Sequence, residues 1–522
     1  MANSPALTRR SVLQLAGIAA VAACDRTSAR PVASPSISPP VPAGSASAAK
    51  APSLAELSSL LSSPLLRPGS QAYAASVGLY NPRFDSSPRP VAIASCATPA
   101  DVVACVRFAA RGGAPIHLRA GGHSYGGWSS GTGLVADVRP MSSVHVDASS
   151  RTVRIGAGAR LAQVYEALGR SGAAIAAGSC PSVGITGLAL GGGVGVLTRA
   201  FGLTCDAIRA VQLVTADGIL RDVDAQHEPD LFWALRGGGG GSFAAVTALT
   251  LATRPAPTVH TFFLSWEGSR AAEVLAAWQS WIGGRDQQLW STCKLLGTPS
   301  TGETRAVVAG TWLGCAAELD TQLAPLLRAV GASPRTRGTR TLGYAQAMQL
   351  EAGCTAQDAR QCLATALGPD ARLPFAATSA VLRKPLPAEG ITVAVTGARR
   401  ALDAAGLVEG GLSFDALGGA VDAVAPSDTA FVHRGALATV QYTATWKRPA
   451  DDTARYDAYV RSQRAGLLPW TGPAAYANYA DASIRDYGAA YWGANYPRLR
   501  EIKKRYDGSD LFTFPQAVRA AS

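Results

Sequence analysis

The sequence predicts a two-part α+β fold, and three observations support this prediction. The chain has 522 residues, which is too long for one small hydrophobic core. From residue 91 onward, short apolar runs mix with helical patterns, without the strict alternation that builds a doubly wound sheet. A second set of strand and helix patterns begins near residue 257. We therefore expect two α+β domains followed by a shorter C-terminal segment.

The first domain is expected to begin with a strand and a capped helix. PVAIASC is typical of a strand, and TPADVVACVRFAARGG is typical of a helix. Thr98 is placed to cap this helix, with Pro99 and Asp101 in its first turn. A second helix is predicted at RLAQVYEALGRSG, and further strands are predicted at APIHLRAGGH, LVADVR, TVRIGAG, AIRAVQLVTADG and FAAVTALTLATR.

The patterns of the second domain indicate a sheet with helices on one face. TVHTFFLSW, ITVAVTG and ALATVQYTATW are typical of strands, and GSRAAEVLAAWQSWIGG is typical of a helix. Helices that pack on such a sheet bury one of its faces. The aromatic segment from residue 473 is too short for a domain and is expected to pack on an earlier one.

The composition is that of a globular protein and argues against two kinds of function. The formal net charge is +12, but the basic residues are spread singly, and no lysine-rich run or basic helical stripe is present. We therefore interpret the charge as solvated surface and predict no nucleic-acid partner. No CxxC or HExxH motif occurs in the sequence, so no metal site is predicted.

The N-terminus has the features of an export signal. Arg9 and Arg10 precede a short apolar stretch, an arrangement that resembles a twin-arginine signal over residues 1–24. VAAC, ending at Cys24, resembles a lipobox, and the alternative is ordinary cleavage that discards this cysteine. Residues 25–75 are a Pro/Ser/Ala-rich tether and lead-in. We expect an exported bacterial protein, either extracellular or a cell-surface lipoprotein bound to the membrane only through a lipid on Cys24.

Export places the cysteines in an oxidising compartment, where they can form disulfides. Three bridges are considered from spacing alone: Cys354 with Cys362, Cys96 with Cys105, and Cys293 with Cys315. After these pairs, Cys205 in GLTCD remains and is expected to be a buried free thiol.

Two glycine-rich loops, RAGGHSYGG and GITGLALGGGVG, are candidates for a dinucleotide site. Glycine lets backbone N–H groups approach a pyrophosphate, although each loop alone is also explained as a packing turn. His123 and Cys180 lie in or beside these separate loops. An imidazole or thiol beside a flavin ring can add to it as a nucleophile, and the bond raises the flavin redox potential.

Five separated segments carry a family resemblance. AGGHSYGG, GSCPSVG with LGGGVGVLTRAFGLTCD, LVTADG, DLFWALRGGGGGSF and YWGANYPRLREIKKRYD occur in this order. From about Arg89 to the C-terminus, the chain resembles the berberine bridge enzyme-like branch of the vanillyl-alcohol oxidase flavoproteins. The resemblance implies a two-part PCMH-type FAD-binding domain over residues 85–256, a substrate-binding domain over 257–472, and a segment over 473–522 that returns to complete the FAD site.

The resemblance also implies a doubly attached cofactor. FAD would bond through His123 to the 8α-methyl group and through Cys180 to carbon 6 of the ring. The pyrophosphate would be held by backbone groups of Arg119, Ala120, Gly121, Gly122 and Ser124. The other implied cofactor contacts are Val183, Gly184, Gly187, Gly191, Gly192, Val246 near the adenine, Asn478 and Asn495. Val183 is the smaller residue seen at the family's oxygen-gating position, which favours an oxidase; the alternative is a packing valine.

In this family the base is commonly a tyrosinate on a C-terminal strand, with a pKa lowered by its neighbours. Tyr479 and Tyr476 are the candidates here, on opposite faces of that strand, and we favour Tyr479. Tyr125 and Gln441 match family positions that face the substrate. Thr439 stands where plant relatives carry a lysine. The alternative for each tyrosine is core packing.

The resemblance predicts an FAD-dependent oxidase that acts on an alcohol or lactol and reduces O2 to H2O2. With the export signal at the N-terminus, we expect an exported protein that is a monomer. Its substrate would be a sugar, an oligosaccharide or a secondary metabolite, because the family includes all of these. Val194 replaces the active-site tyrosine of plant members, so their substrate recognition does not transfer. The alternatives are a flavin dehydrogenase with another acceptor, an oxidative cyclase, and a surface lipoprotein that binds a ligand without turnover.

Overall fold

The computed structural model describes residues 51–354, 358–368, 371–447 and 453–522. The predicted export signal, Cys24 and most of the tether lie outside the described residues. No helix within these ranges is both long enough and apolar enough to cross a bilayer.

The first domain has two sheets side by side. A parallel sheet has the order β1-β3-β2, an antiparallel sheet has the order β4-β5-β9-β7-β8, and β6 pairs with β10. The predicted two-part organisation is therefore confirmed. In chain order its elements are α1 (Leu54–Leu60), α2 (Gln71–Ser76), β1 (Ala92–Ser95), α3 (Pro99–Ala110), β2 (Ile116–Arg119), β3 (Leu134–Asp137), β4 (Val144–Asp147), β5 (Thr152–Gly156), α4 (Leu161–Arg170), β6 (Ala173–Ala174), α5 (Ile185–Leu190), α6 (Thr198–Phe201), β7 (Ile208–Val214), β8 (Leu220–Asp224), α7 (Pro229–Ala234), β9 (Ala245–Ala252) and β10 (Arg254–Pro255).

Helix α3 begins as its sequence predicts. The Thr98 hydroxyl accepts a hydrogen bond from the backbone N–H of Asp101, and the Asp101 carboxylate accepts one from the backbone N–H of Thr98. This reciprocal capping box satisfies two N–H groups that the helix itself leaves unpaired. The Asp101 carboxylate also accepts two hydrogen bonds from Ser62, which holds the lead-in segment against the helix.

The second domain is built on one antiparallel sheet with the strand order β14-β11-β13-β12-β16-β17-β15. Helices α8, α12 and α13 pack on one face of it, as predicted. In chain order the elements are β11 (Thr258–Glu267), α8 (Ala271–Ile282), β12 (Leu289–Thr298), β13 (Glu303–Trp312), α9 (Leu319–Val330), β14 (Thr336–Gly343), α10 (Tyr344–Glu351), α11 (Ala359–Leu367), β15 (Phe375–Leu382), α12 (Ala388–Arg399), β16 (Leu407–Ala416), β17 (Ala438–Trp446) and α13 (Ala454–Thr471).

The C-terminal segment returns to the first domain, as expected. It contains α14 (Tyr487–Trp492) and α15 (Tyr496–Asp507), and α15 packs on α7. The buried Lys503 ammonium donates hydrogen bonds to the carbonyls of Ser242, at 2.7 Å, and Phe512, at 2.8 Å, and pairs with Asp507. These bonds join α15 to the loop before β9 and to the last residues of the chain.

One predicted strand is wrong. ITVAVTG lies inside α12, although its β-branched residues favour strands. Its buried residues Ile391, Ala394 and Ala398 recur at intervals of three and four, which is the spacing of one helix face. Packing of that face against β12 and β16 outweighs the local preference.

The cysteine predictions have mixed outcomes. Cys354 and Cys362 form a disulfide, and Cys205 is buried and free, as predicted. The sulfurs of Cys96 and Cys105 lie 3.8 Å apart and are not bonded. The bridge between Cys293 and Cys315 is wrong, because β12 places the first opposite Val308 while the second is exposed beyond the end of β13.

Candidate functional site

A cavity of about 660 Å³ lies between the first domain, the C-terminal segment and the second domain's sheet. The sheet contributes the face opposite its helices, since Lys294 and Leu296 of β12 line the cavity while the next strand residue, Gly297, faces α12. This volume is typical of a small-molecule site. The predicted residues on its wall are Arg119, Ala120, Gly121, Gly122, His123, Ser124, Tyr125, Cys180, Val183, Gly184, Gly187, Val246, Gln441, Asn478 and Tyr479.

The two glycine loops touch each other through their backbones. A Cβ atom on Gly121 would lie 2.2 Å from the backbone nitrogen of Gly184, and a Cβ on Gly184 would lie 2.4 Å from that of Gly121. Gly122 has a φ of +73°, a conformation that side chains disfavour. Both loops therefore require glycine where they meet, which places their backbones together on one wall of the cavity.

The first loop presents unpaired backbone donors. Among the described residues, no acceptor pairs with the N–H groups of Gly121, Gly122, His123 or Ser124. Successive free N–H groups beside glycine form an anion-binding concavity. Farther along the wall, Trp128 stacks on Phe514 with a ring-centroid distance of 5.2 Å. A pyrophosphate with an aromatic base at one end fits these residues.

His123 and Cys180 are joined by one buried serine. The Oγ atom of Ser182 lies 3.0 Å from His123 Nε2 and 3.7 Å from Cys180 Sγ. The ring of Tyr80 stacks on the imidazole at 3.7 Å. Burial and the positive charge of Arg160 lower the pKa of His123 to about 3, so its imidazole is neutral and nucleophilic. Burial raises the pKa of the Cys180 thiol, against hydrogen bonds from Ser182 and Tyr80 that lower it.

The opposite wall consists of side chains on strands. Gln441 of β17 donates a hydrogen bond of 2.5 Å to the Tyr125 hydroxyl, and the Tyr125 ring stacks on Tyr479 at 5.4 Å. Gln441 pairs in register with Ser413 of β16. Asp415, two residues farther along β16, also lines the cavity. Aromatic and polar groups thus face the glycine loops across the cavity.

Comparisons with known proteins agree with this geometry. The family model described as "FAD binding domain" matches residues 90–224, and the one described as "Berberine and berberine like" matches residues 475–519. An uncharacterised FAD-linked oxidoreductase of Bacillus subtilis, YgaK, is 31% identical over 82% of this chain and 91% of its own. This chain belongs to the berberine bridge enzyme-like family of FAD-linked oxidoreductases.

Characterised relatives are similar over nearly their whole length. The chitooligosaccharide oxidase of Gibberella zeae is 31% identical over 86% of this chain and 91% of its own. In structure, the berberine bridge enzyme-like protein 1 of Physcomitrella patens matches with a TM-score of 0.82 and 28% identity, over 90% of this chain and 99% of its own. The chain is thus an FAD-linked oxidoreductase with a PCMH-type fold, as the motifs predicted.

The structure separates the two candidate tyrosines of this family member. The Tyr476 hydroxyl lies off the cavity wall and accepts hydrogen bonds from the backbone N–H groups of Gly193, at 2.8 Å, and Val194, at 3.3 Å. Tyr479 lines the cavity. The predicted strand is wrong, because residues Ala477–Tyr479 form one 3-10 turn. At this turn the Tyr476 ring packs in the core, whereas the Tyr479 ring lies on the cavity wall.

The expected lowering of the tyrosine pKa is absent at Tyr479. Burial raises its pKa, and Asp415, Tyr125 and Tyr476 raise it further. Burial also raises the pKa of Asp415, against the positive charge of Lys294. Thr439, at the position of the plant lysine, pairs in register with Asp415 and brings no charge. The carboxylate is therefore the group beside Tyr479 that is ionised more readily.

Three predicted cofactor residues do not line the cavity. Asn495 donates hydrogen bonds to the carbonyls of Pro426, at 2.7 Å, and Thr429, at 3.1 Å. A Cβ on Gly191 would lie 2.1 Å from Asn478 Oδ1, and a Cβ on Gly192 would lie 2.7 Å from the Phe431 ring. These residues pack closely behind the cavity wall. A glycine pattern in the sequence does not distinguish such packing from contact with a cofactor.

Sequence reasoning missed the residues that complete both walls. Those on the walls lie in segments without a recognised motif: Tyr80, Lys294, Arg305, Glu409, Ser413 and Asp415. Ser182, which lies behind the wall, belongs to the motif segment GSCPSVG, and its spacing of two from Cys180 is the signal that indicates it. Lys294 in β12 and Asp415 in β16 carry a signal as well, since each interrupts a run of buried strand residues, whereas Arg305 precedes the buried run of β13.

Proposed function

We propose that this protein is an oxidase whose FAD is attached through both His123 and Cys180 and whose substrate is a lactol or alcohol of an oligosaccharide. The observation that carries the proposal is that both nucleophiles line one cavity and share Ser182, with free backbone donors beside them. Bound FAD supplies a hydride acceptor and a carrier of electrons to O2. The side chains and backbone of this chain bind the cofactor, orient the substrate and remove its proton.

The loop side of the cavity binds and orients the cofactor. The N–H groups from Gly121 to Ser124 are donors for its pyrophosphate. The neutral imidazole of His123 is a nucleophile throughout the physiological pH range, because its pKa is about 3. Covalent bonds from His123 and Cys180 to two positions of the flavin ring would fix the flavin against the sheet wall.

The sheet side suits a substrate with many hydroxyl groups. Arg305 and Glu409 pair at 2.9 Å, and Ser413 and Thr443 lie on the same wall. Within the described chain no carboxylate forms an ion pair with the Lys294 ammonium, so it is available to a substrate oxygen. Donors and acceptors that alternate on one wall match sugar hydroxyls, which both donate and accept. One similar protein is named a chitooligosaccharide oxidase.

Tyr479 and Asp415 together would remove the proton of the reacting hydroxyl. Tyr479 faces the cavity beside Tyr125, whose hydroxyl is oriented by Gln441. Since the pKa of Tyr479 is raised, its phenol is protonated at neutral pH and contacts the substrate oxygen as a hydrogen-bonding group. The Asp415 carboxylate is the final acceptor of the proton.

Oxygen is the proposed electron acceptor, because Val183 leaves more room than a larger side chain on the wall beside Cys180. A dehydrogenase with another acceptor is the second candidate. Mixing reduced enzyme with O2 decides between them. We expect reoxidation at least as fast as turnover, and reoxidation slower than turnover with an artificial acceptor would contradict the oxidase.

A peroxide assay tests the substrate class. Purified protein is mixed with reducing oligosaccharides, with the same sugars after borohydride reduction to alditols, and with phenolic alcohols. We expect peroxide from the reducing sugars. Inactive alditols would assign the reaction to the lactol, which they lack, whereas active alditols would assign it to an alcohol group. Release from phenolic alcohols alone would contradict the oligosaccharide assignment.

We also propose that the protein is exported and anchored through a lipid on Cys24, and that it is a monomer. The support for export and the anchor is the arginine pair and the VAAC sequence. Cys24→Ala should move the protein from the membrane fraction to the soluble fraction. Membrane attachment unchanged by this substitution would contradict the lipid anchor.

A further inference from the structure

We propose that Ser182 and Tyr80 are positioning residues for flavin attachment and that they fix its order, with the histidyl bond first and the cysteinyl bond second. This inference rests on the proposed function, because it requires both His123 and Cys180 to carry the flavin. It goes further by assigning a proton path that neither nucleophile provides alone.

Ser182 lies behind the cavity wall, where its side chain is fully buried. Its single hydroxyl contacts His123 Nε2 at 3.0 Å and Cys180 Sγ at 3.7 Å. A serine hydroxyl can accept a proton on one side while it donates on the other. A proton can therefore pass between the thiol and the imidazole without entering the cavity.

Tyr80 contacts the same two residues from the cavity side. Its ring lies 3.7 Å from the imidazole of His123 with an angle of 17° between the planes. A hydrogen bond from its side chain to Cys180 lowers the pKa of that thiol. Its backbone N–H donates to the carbonyl of Gly122 at 3.1 Å, which ties it to the glycine loop. Tyr80 thus fixes the ring plane and stabilises the thiolate.

The histidyl step uses the ring nitrogen that Ser182 leaves open. With its proton on Nε2 and donated to Ser182, His123 has a lone pair on Nδ1 for the bond to the 8α carbon. The methyl group loses one proton and the imidazole loses the proton on Nε2. The two electrons pass to the flavin and from it to molecular oxygen, which with the two protons gives hydrogen peroxide.

The cysteinyl step then becomes possible. A neutral imidazole bonded at Nδ1 has a free lone pair on Nε2, which accepts the Cys180 proton through Ser182. The sulfur bonds to carbon 6, whose hydrogen leaves as a proton, and molecular oxygen again removes the two electrons. Before the histidyl bond forms, Nε2 holds its own proton, so the buried thiol lacks this acceptor.

Single-link variants test the order. FAD is added to protein purified from riboflavin-limited cells, and flavin-carrying peptides are followed by mass spectrometry. Cys180→Ala should form the histidyl bond within about twofold of the wild-type rate, since that step needs no thiol. His123→Ala should form the cysteinyl bond at least about tenfold more slowly at pH 7 and recover at higher pH, because a tenfold change corresponds to one pKa unit.

Two further variants test the residues themselves. Ser182→Ala should slow both bonds, whereas Tyr80→Phe should slow the cysteinyl bond more than the histidyl bond. Ser291→Ala is the control for lost stability: Ser291 is also a buried serine, with hydrogen bonds at 3.0 and 2.8 Å, and lies away from the site. Its attachment rates should equal those of the wild type.

Three results would overturn the inference while leaving the proposed function intact. These are wild-type rates for both bonds in Ser182→Ala, an equal loss of both bonds in Tyr80→Phe, and an undiminished cysteinyl rate in His123→Ala at pH 7. A wild-type protein without covalent flavin would overturn the proposed function and this inference with it. The Tyr80→Phe result stands even if Ser182→Ala fails to fold.

Discussion

The two walls of the cavity differ in whether backbone or side-chain atoms form them. The loop wall is largely backbone, where Gly121 and Gly184 approach so closely that neither admits a Cβ atom. The sheet wall is made of side chains on rigid strands, such as Lys294, Asp415 and Gln441. Backbone donors suit a cofactor because main-chain groups do not depend on side-chain identity, whereas side chains can change without disturbing the fold. The contrast suggests that cofactor and substrate specificity are encoded separately.

The largest expected effect comes from breaking the loop wall. Gly121→Ala places a Cβ 2.2 Å from Gly184 N, and the backbone on both sides leaves little freedom to adjust. We expect a loss of about 3 kcal/mol in the free energy of unfolding, the upper end of the usual cost of overpacking, together with loss of flavin. Gly284→Ala is the matched control, since nothing lies within 4 Å of its Cβ. Thermal unfolding and the flavin content of both proteins check this, and equal stability would contradict the loop contact.

The next effect separates two tyrosines three positions apart. Tyr479→Phe should reduce the rate of anaerobic flavin reduction by about 10²-fold to 10⁴-fold, the usual contribution of proton transfer. Tyr476→Phe should reduce stability by about 1–3 kcal/mol, because it leaves the N–H groups of Gly193 and Val194 without their acceptor. Stopped-flow reduction and denaturant unfolding of each variant provide the measurements. A faster rate in Tyr479→Phe than in Tyr476→Phe would reverse our assignment.

A smaller effect concerns the charge on the sheet wall. If Asp415 accepts the proton, the rate of flavin reduction should fall as the pH drops through the pKa of Asp415. Burial raises this pKa, and the positive charge of Lys294 lowers it. Lys294→Met removes that charge, so the acidic limb should move to higher pH by about half a unit to one unit. The pH profile of anaerobic reduction measures this shift. A shift to lower pH, or an unchanged limb, would exclude Asp415 as the acceptor.

The same contrast explains what the sequence could predict. The glycine loops can be predicted from the sequence because few residues tolerate φ values such as +73° at Gly122. The cap at Thr98 can also be predicted, because it depends only on neighbouring residues. The sheet wall is assembled from strands distant in the chain, so Lys294, Ser413 and Asp415 meet only through register. The strand prediction for ITVAVTG is wrong because burial of one face of α12, and not residue preference, decides its conformation.

The central claim is that one flavin is bonded to both His123 and Cys180, and mass spectrometry of the digested native protein tests it most directly. We predict one cross-linked species in which a single FAD joins the peptide containing His123 to the peptide containing Cys180. His123→Ala and Cys180→Ala should each give FAD on the remaining peptide alone, and the double variant should release it. Recovery of both wild-type peptides at their unmodified masses, with FAD free in solution, would contradict the claim.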